Sequence, residues 1–359
     1  MTSPSRSVRV YPELRAAQVS RNTSLTPADG WYFSRNYDLG SGRPVTGFTH
    51  MTTFASLRFL AHGDVSLLEV PELLWARELP RTLALLFVHK CCTRGKSRRV
   101  FYAIENNAPR TALFGLKRWP APVVSVALGL VGAAARILVD AIAFGSKGAE
   151  QAYTSLPFIR HVPSRLVEEL PGRSDAVPAS AAERHGAVFV GALEARKGIT
   201  ELCAAWEHVE RAIPDCTVHV VGDGSLADEV RTWAAQDPRR RKFSGPIPHE
   251  EALRVIQRST VLVAPSRREG RWREQVGLPI KEALAAGATI VTTADTGLAS
   301  WLADHGHFVL DEGSAELAEA IEAALRHPLD AQVVVAALPA DDGRVAADRW
   351  LHIGSGEER

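Results

Sequence analysis

The stretch PSRREGRWREQVGLPIKEALAAG, Pro265–Gly287, decides how this chain is read. It follows Val261–Ala264, a short apolar run with the character of a buried strand. Pro279 suits the first turn of a helix, where its missing N–H would have had no intrahelical partner. The pattern predicts a helix over Pro279–Ala286 that stops at Gly287. The backbone N–H groups at its start are unsatisfied and carry partial positive charge. Gly277 lets an anion approach that backbone closely, so Gly277, Leu278 and Pro279 have the make-up of a phosphate cradle. Glu274 and Glu282 bracket the cradle, and both can accept hydrogen bonds from sugar hydroxyls. A plain strand–loop–helix with a dipole-satisfying glutamate would read the same way, and the residues alone leave both readings open.

Working outward, short apolar strands alternate with helices through the second half. Strands are predicted at Ala187–Val190, Thr217–Val221, Lys242–Ser244, Val261–Ala264 and Thr289–Thr292. Helices are predicted at Thr200–Ile213, Leu226–Trp233, Glu250–Gln257 and Leu317–Leu325. That alternation implies a parallel sheet with helices on both faces. The first half is less regular, with strands at Val65–Val70, Val100–Ile104 and Ala141–Phe144 and a helix at Leu79–His89. Ala121–Ala135 is strongly apolar but is broken by Arg136 and Asp140, short of the roughly 20 residues that span a bilayer. It is read as a buried core helix. Glu168–His185, with Pro171, Gly172, Ser174, Pro178 and Ser180, has no periodicity and reads as a linker. The expected domains are therefore residues 1–175, residues 176–340 and a tail, 341–359, with one short helix at Val345–His352.

The 359 residues carry 42 Lys+Arg against 41 Asp+Glu, a net charge of +1 that gives no reason to expect a nucleic-acid partner. Basic runs at Arg94–Arg99 and Arg239–Lys242 are read as solvated loops, or as contacts with an anionic membrane surface. The 4 cysteines, Cys91, Cys92, Cys203 and Cys216, match neither a disulfide framework nor zinc-site spacing, which fits reduced thiols in the cytoplasm. No basic region followed by an apolar core opens the chain, so no signal peptide is expected.

Seven residues separate Glu274 from Glu282, and Gly-Leu-Pro-x-x-Glu-Ala-x-Ala-x-Gly runs from Gly277 to Gly287. This resembles the Glu-x7-Glu signature of retaining family 4 glycosyltransferases of GT-B fold. Val188–Gly191 with Arg196-Lys197-Gly198 is similar to the first strand and basic loop of that family's donor domain. Val220–Gly224 is similar to its second glycine turn, and Phe243–Ile247 to the segment bordering the nucleoside base. The resemblance covers roughly Ala187–Leu325. It implies two Rossmann-like α/β domains facing each other across a cleft. The first would bind the acceptor and the second the nucleotide-sugar donor, with the tail packing back on the first.

The resemblance also implies roles. Lys197 and Arg196 would neutralise the donor diphosphate, and Glu274 would hold donor-sugar hydroxyls. Glu282 would bind the ribose. Gly191 and Gly222 would form the glycine turns, Pro246 and Ile247 the base pocket, and Gly277, Leu278 and Pro279 the phosphate cradle. Ala192 stands where the family usually has arginine, with Arg196 the nearest substitute. In the first domain, Gly40-Ser41-Gly42 with Gly47 is either the family's glycine loop or an ordinary turn. Where the family often has a histidine after a first-domain strand, Glu105, Asn106 and Asn107 stand here, and Ser146 and Lys147 follow Ala141–Phe144 at the expected cleft edge. The implied reaction is sugar transfer with retention from a nucleotide diphosphate sugar, UDP- or GDP-linked, to an acceptor hydroxyl. The acceptor would be a glycan, a lipid-linked sugar or a small molecule, in glycan or glycoconjugate biosynthesis. No metal or other cofactor is expected, because no acidic pair sits at a strand end and the adjacent Asp341 and Asp342 fall in the tail. The alternatives are a natural-product tailoring transferase, a nucleotide-sugar epimerase, or a protein that binds nucleotide sugar without turnover. The expected location is cytoplasmic, with peripheral membrane contact.

Overall fold

A computed structural model describes residues 6–36, 39, 45–62, 64–93, 97–176, 184–311 and 316–353. The chain divides into two compact units, one of residues 1–168 with 344–359 and the other of residues 169–343. Each is built on one wholly parallel sheet covered by helices.

The first sheet comprises β1 (Arg6–Leu14), β2 (Asp29–Arg35), β3 (Phe48–His50), β4 (Val65–Glu69), β5 (Arg98–Ala103), β6 (Ala141–Phe144) and β7 (Ser164–Leu166). Its spatial order is β3-β2-β1-β4-β5-β6-β7, so the winding reverses between β1 and β4. The helices of this unit are α1 (Ala16–Arg21), α2 (Thr53–His62), α3 (Leu79–Cys92), α4 (Pro109–Phe114), α5 (Ala121–Leu138) and α6 (Lys147–Thr154). The core holds Val8, Leu68, Phe101, Ile142, Phe144 and Tyr153.

Strand β1 carries a guanidinium through the middle of this sheet. Arg9 is buried and donates to Glu69 at 2.7 Å and to Asp348 at 2.5 Å. Arg344 also pairs with Glu69, and His352 lies 3.0 Å from the same carboxylate. Glu69, Asp348 and His352 stand close enough to one another to hold a metal ion. The two guanidiniums already satisfy the carboxylates, so the cluster reads as a structural ion network. Burial alone would raise the Glu69 carboxyl, but Arg344 and Arg9, with His352, hold it well below the ordinary range. The last helix, Gly343–Ile353, thereby docks on this unit.

Helix α5 differs from the buried core helix read from composition. Val124, Val131, Ala135 and Leu138 pack inward, but Val126 is 63% and Leu130 66% exposed. The helix is apolar around its whole circumference, so composition alone could not separate the packed face from the open one. By length and composition it is the one helix among the described residues that could cross a membrane.

The second sheet comprises β8 (Ala187–Val190), β9 (Val218–Val221), β10 (Arg241–Phe243), β11 (Val261–Ala264), β12 (Thr289–Thr293) and β13 (Phe308–Leu310), in the order β10-β9-β8-β11-β12-β13. This is the doubly wound order, first strand central, with the reversal between β8 and β11. Its helices are α7 (Ile199–Ala212), α8 (Ala227–Ala235), α9 (His249–Gln257), α10 (Leu278–Ala285), α11 (Ala299–Asp304), α12 (Leu317–Arg326) and α13 (Ala331–Ala337), before the final α14 (Gly343–Ile353).

The segment read as a linker is partly tied down. Arg173 N–H donates to the Pro339 carbonyl at 2.7 Å, and its guanidinium donates to Leu338. Residues 177–183 lie outside the described part. Asp342, set aside in the sequence as part of the tail, accepts at 2.9 Å from Lys281, a buried lysine of α10 that also faces Glu169.

Candidate functional site

Strands β8 and β11 are neighbours whose helices leave on opposite faces, so their carboxyl ends open a crevice. Two loops meet there, residues 191–198 after β8 and residues 265–277 after β11.

The first loop is held tight by glycine. Gly191 N–H donates to the Val221 carbonyl at 3.1 Å, and Gly222 N–H to the Gly245 carbonyl at 3.0 Å. Gly222 has φ of 143°, and a Cβ there would stand 1.8 Å from the Gly191 carbonyl oxygen. The loop ends at Gly198, φ 73°, where a Cβ would stand 2.1 Å from the Pro265 carbonyl oxygen. Only glycine allows the start of α7 to lie against the exit of β11.

That contact sets Lys197 and Arg196 beside the second loop. Lys197 Nζ is ion-paired with Glu274 Oε2. Ser266 Oγ donates to the same oxygen at 3.3 Å. Trp272 lies under both cations, with the Arg196 guanidinium 4.3 Å and the Lys197 ammonium 4.9 Å from its ring centre. Arg196 also pairs with Glu194 at 2.5 Å. Trp272 is placed by a tight turn in which Glu269 and Trp272 exchange backbone hydrogen bonds, with Gly270 at φ 61°. Asp295 accepts from Arg268 N–H at 2.9 Å, and Gly297 N–H donates to the Glu274 carbonyl at 3.1 Å. The loop is therefore anchored on the β12 side.

Gly277, φ 73°, then caps α10 through its carbonyl, which accepts from Ile280 and Lys281. This helix start adjoins Glu274, whose Cγ is 3.6 Å from where a Gly277 Cβ would stand. Leu278 is exposed and Pro279 half-buried. One turn on, Glu282 is half-buried, and burial pushes its carboxyl up to about 7 against the opposing pull of Lys281. His249 Nε2 lies 3.5 Å from Glu282 Oε1. His249 opens α9 two residues after Ile247, so the chain leaving Pro246 and Ile247 leads to the Glu282 carboxylate.

The structure thus brings Gly191, Arg196, Lys197, Glu274, Gly277, Leu278 and Pro279 to one crevice, with Glu282, Pro246 and Ile247 at its β10 side. Sequence reasoning did not single out Ser266, Trp272, His249 or Asp295. Ser266 could have been suspected from its place directly after the strand, and nothing in the sequence separates Trp272 from any loop tryptophan.

In the first unit, Gly42 lies outside the described residues. Glu105, Asn106 and Ser146 follow β5 and β6, and all three are buried. Ser146 caps α6 by accepting from Ala149 N–H at 3.1 Å. Glu105 accepts from Asn107 N–H and Nδ2–H. Glu72 accepts from the N–H groups of Ile104 and Glu105 and from the Tyr153 hydroxyl at 3.1 Å. Burial, with the Glu105 charge adding to it, pushes the Glu72 carboxyl up to about 8.

A cavity of about 350 Å³ opens elsewhere on the second unit, lined by His185, Thr217, Arg239, Lys242, Arg254 and Arg258 among others. It lies at the amino ends of β8, β9 and β10, the opposite end from the crevice where ligands of such sheets bind.

The family described as "Glycosyl transferases group 1" matches residues 174–336, so this stretch carries a group 1 glycosyltransferase domain. A glycogen synthase of Mycobacterium tuberculosis is 30% identical over 153 residues, which cover 40% of this chain and 35% of that protein. The chain spans about a third of the length of the curated relatives it matches. The lipopolysaccharide outer core galactosyltransferase WaaB aligns over 93% of this chain and 94% of its own, at 9% identity and TM-score 0.65. HepE of Anabaena, solved with UDP, aligns over 96% of this chain and 94% of its own, at 12% identity and TM-score 0.64. A UDP-forming trehalose-phosphate synthase from Burkholderia xenovorans gives 13% identity and TM-score 0.63, over 96% of this chain and 97% of its own. Two parallel-sheet α/β units with these structural neighbours make the fold GT-B.

Proposed function

We propose that this chain is a retaining glycosyltransferase of family 4 type, which moves a sugar from a nucleotide diphosphate sugar to an acceptor hydroxyl in glycan or glycoconjugate biosynthesis. The observation that carries the proposal is the Lys197–Glu274 ion pair at the reversal point of the second sheet, directly beside the Gly277 cap of α10. A cation, a carboxylate and a helix N-terminus stand together where a diphosphate and its sugar need opposite recognition. UDP is the first donor nucleotide to test, because structural neighbours carry UDP or form it.

In the proposed reaction the bond between the anomeric carbon and the diphosphate oxygen breaks. The acceptor oxygen bonds to that carbon on the same face. The acceptor proton passes to the departing phosphate oxygen, which bears the charge being released. Lys197, Arg196 and the N–H groups of Gly277 and Leu278 stabilise that charge. Glu274 accepts from donor-sugar hydroxyls and Glu282 from the ribose. Pro246 and Ile247 flank the base. No step in this scheme draws on a metal. All four thiols are unpaired, which supports a reducing, cytoplasmic setting, with peripheral membrane contact as part of the reading.

The test is a thermal-shift panel with UDP, GDP, ADP and dTDP, followed by nucleotide release from the matching sugar donors. A ligand at 100 times its dissociation constant stabilises the fold by about 2.7 kcal/mol. Stabilisation by one nucleotide and release from its donor are the expected results. No shift with any of the four overturns the proposal.

A further inference from the structure

The first unit carries an apolar face that its own fold leaves open. On α5, Val123, Val126, Leu130 and Ile137 are spaced by 3, 4 and 7 residues and are 48–66% exposed. That spacing puts them on one side of the helix, opposite the packed Val124, Val131 and Ala135. The turn leading into the helix adds Leu116, 69% exposed, and Trp119, 47% exposed. A row of this kind is uncommon on a monomer's surface and marks an interaction site.

The charge around the row chooses the partner. Residues 106–139 contain Arg110, Lys117, Arg118 and Arg136 and not one aspartate or glutamate. Lys117 and Arg118 sit in the same exposed turn as Leu116 and Trp119. An apolar helix face preceded by exposed tryptophan, lysine and arginine suits the boundary between lipid headgroups and acyl chains. A second backbone feature agrees. Phe158 is the only non-glycine residue with positive φ among the described residues, at 66°, and it is half exposed. Phenylalanine in that region is strained. The loop that holds it packs directly on α5, where a Cβ at Gly132 would stand 1.9 Å from the Pro157 carbonyl oxygen.

We infer that α5 and the turn before it form a monotopic docking surface for an anionic bilayer, with the exposed stripe dipping into the headgroup boundary. The helix lies in the interface and does not cross it, because crossing would strip Val131, Ala135 and Leu138 from the core of the unit. This deepens the peripheral contact of the preceding reading and is independent of the donor chemistry.

Vesicle co-sedimentation tests it, using the full chain with phosphatidylcholine alone and with phosphatidylcholine and phosphatidylglycerol mixed. Wild-type protein is expected to pellet with the mixed vesicles. V126S/L130S, which changes only exposed side chains, should lose binding by about tenfold or more. K117E/R118E should weaken binding in a salt-dependent way. Circular dichroism melts and nucleotide release in solution confirm that both variants stay folded and that the donor site is unaffected. Wild-type protein that stays in the supernatant with every vesicle overturns the inference, as does undiminished binding of V126S/L130S. A wild-type dimer in solution that V126S/L130S converts to monomer would assign the face to a second copy of the chain and equally overturn it.

Discussion

Lys197 and Glu274 are ion-paired across the boundary between β8 and β11, with Ser266 donating to the same carboxylate oxygen. Each partner comes from a different strand exit, so the pair joins the two loops that build the crevice. Trp272 packs under the lysine and keeps one side of it from water. In the proposed site, a diphosphate at the α10 cap would meet an ammonium already positioned and partly desolvated.

Lys197→Ala is therefore expected to weaken binding of the free nucleoside diphosphate. Losing a hydrogen bond to a charged group costs about 1.5–3 kcal/mol, or roughly 10–100-fold in affinity. Calorimetry with the nucleotide that shifts the melting temperature reads this directly. Unchanged affinity would remove Lys197 from the diphosphate site.

The glycine turn that shapes the crevice makes a stability prediction. Gly222→Ala would drive a Cβ to 1.8 Å from a backbone oxygen in a φ region that L residues avoid. Backbone cannot yield as a flexible side chain can, so a loss of about 2 kcal/mol or more is expected. Gly245→Ala has open space around its Cβ and serves as the comparison, although its φ of 65° still carries strain. Denaturant melts should rank Gly222→Ala as the less stable. The reverse order would show that the close approach does not govern this turn.

Glu72 makes a pH prediction. Its folded carboxyl titrates near 8, above its ordinary value of 4.5. Between those values the folded chain holds a proton that the unfolded chain has released. Stability therefore falls as pH rises through this window, by at most about 1.4 kcal/mol per unit, and levels off above it. Glu72→Gln keeps the uncharged shape and removes the titration. Its stability advantage over wild type should grow from pH 5 to pH 8 and then stay constant. Parallel stability curves across that range would refute the assignment.

The ion network on β1 explains a limit of sequence reading. Residues 6–14 read RSVRVYPEL, with two arginines where a central strand should be apolar. The strand is central because Arg9 is neutralised by Glu69 and by Asp348, which is 339 residues away. No local pattern reveals such a partner. Asp348→Ala should cost about 3–5 kcal/mol by leaving buried Arg9 and Arg344 to share one carboxylate. A change below about 1 kcal/mol in a urea melt would show that the network is not a support of the fold.

The second unit was legible for the opposite reason. Strands β8, β9 and β11 are short apolar runs closed by glycine or proline, and every element predicted between Ala187 and Arg326 matches its observed boundaries within one or two residues, while the short α11 and β13 went unread. The doubly wound α/β class followed from that alternation alone. In the first unit β1, β2, β3 and β7 went unread, because β1 carries Arg6 and Arg9, β3 and β7 have three residues each and β2 mixes aromatic with polar side chains. Helix α5 was read as buried because its open side is as apolar as its packed side. Glu274, Glu282 and Gly277 were legible as a spacing. Trp272 under Lys197, and His249 beside Glu282, are products of tertiary packing that no spacing encodes.

The division of work between Glu274 and Glu282 is the central claim, and calorimetry of both alanine variants with the free nucleoside diphosphate tests it most directly. In the proposed site Glu282 lies beside His249, next to the Pro246–Ile247 segment assigned to the base, and Glu274 lies beside Lys197 and the Gly277 cap assigned to the phosphates. Glu282→Ala is expected to bind the nucleotide about 10–100-fold more weakly, because the ribose contact needs no sugar. Glu274→Ala is expected to keep nucleotide affinity within about threefold, a difference under 1 kcal/mol, because its partner is the absent sugar. Equal losses in the two variants, or none in either, would contradict the account.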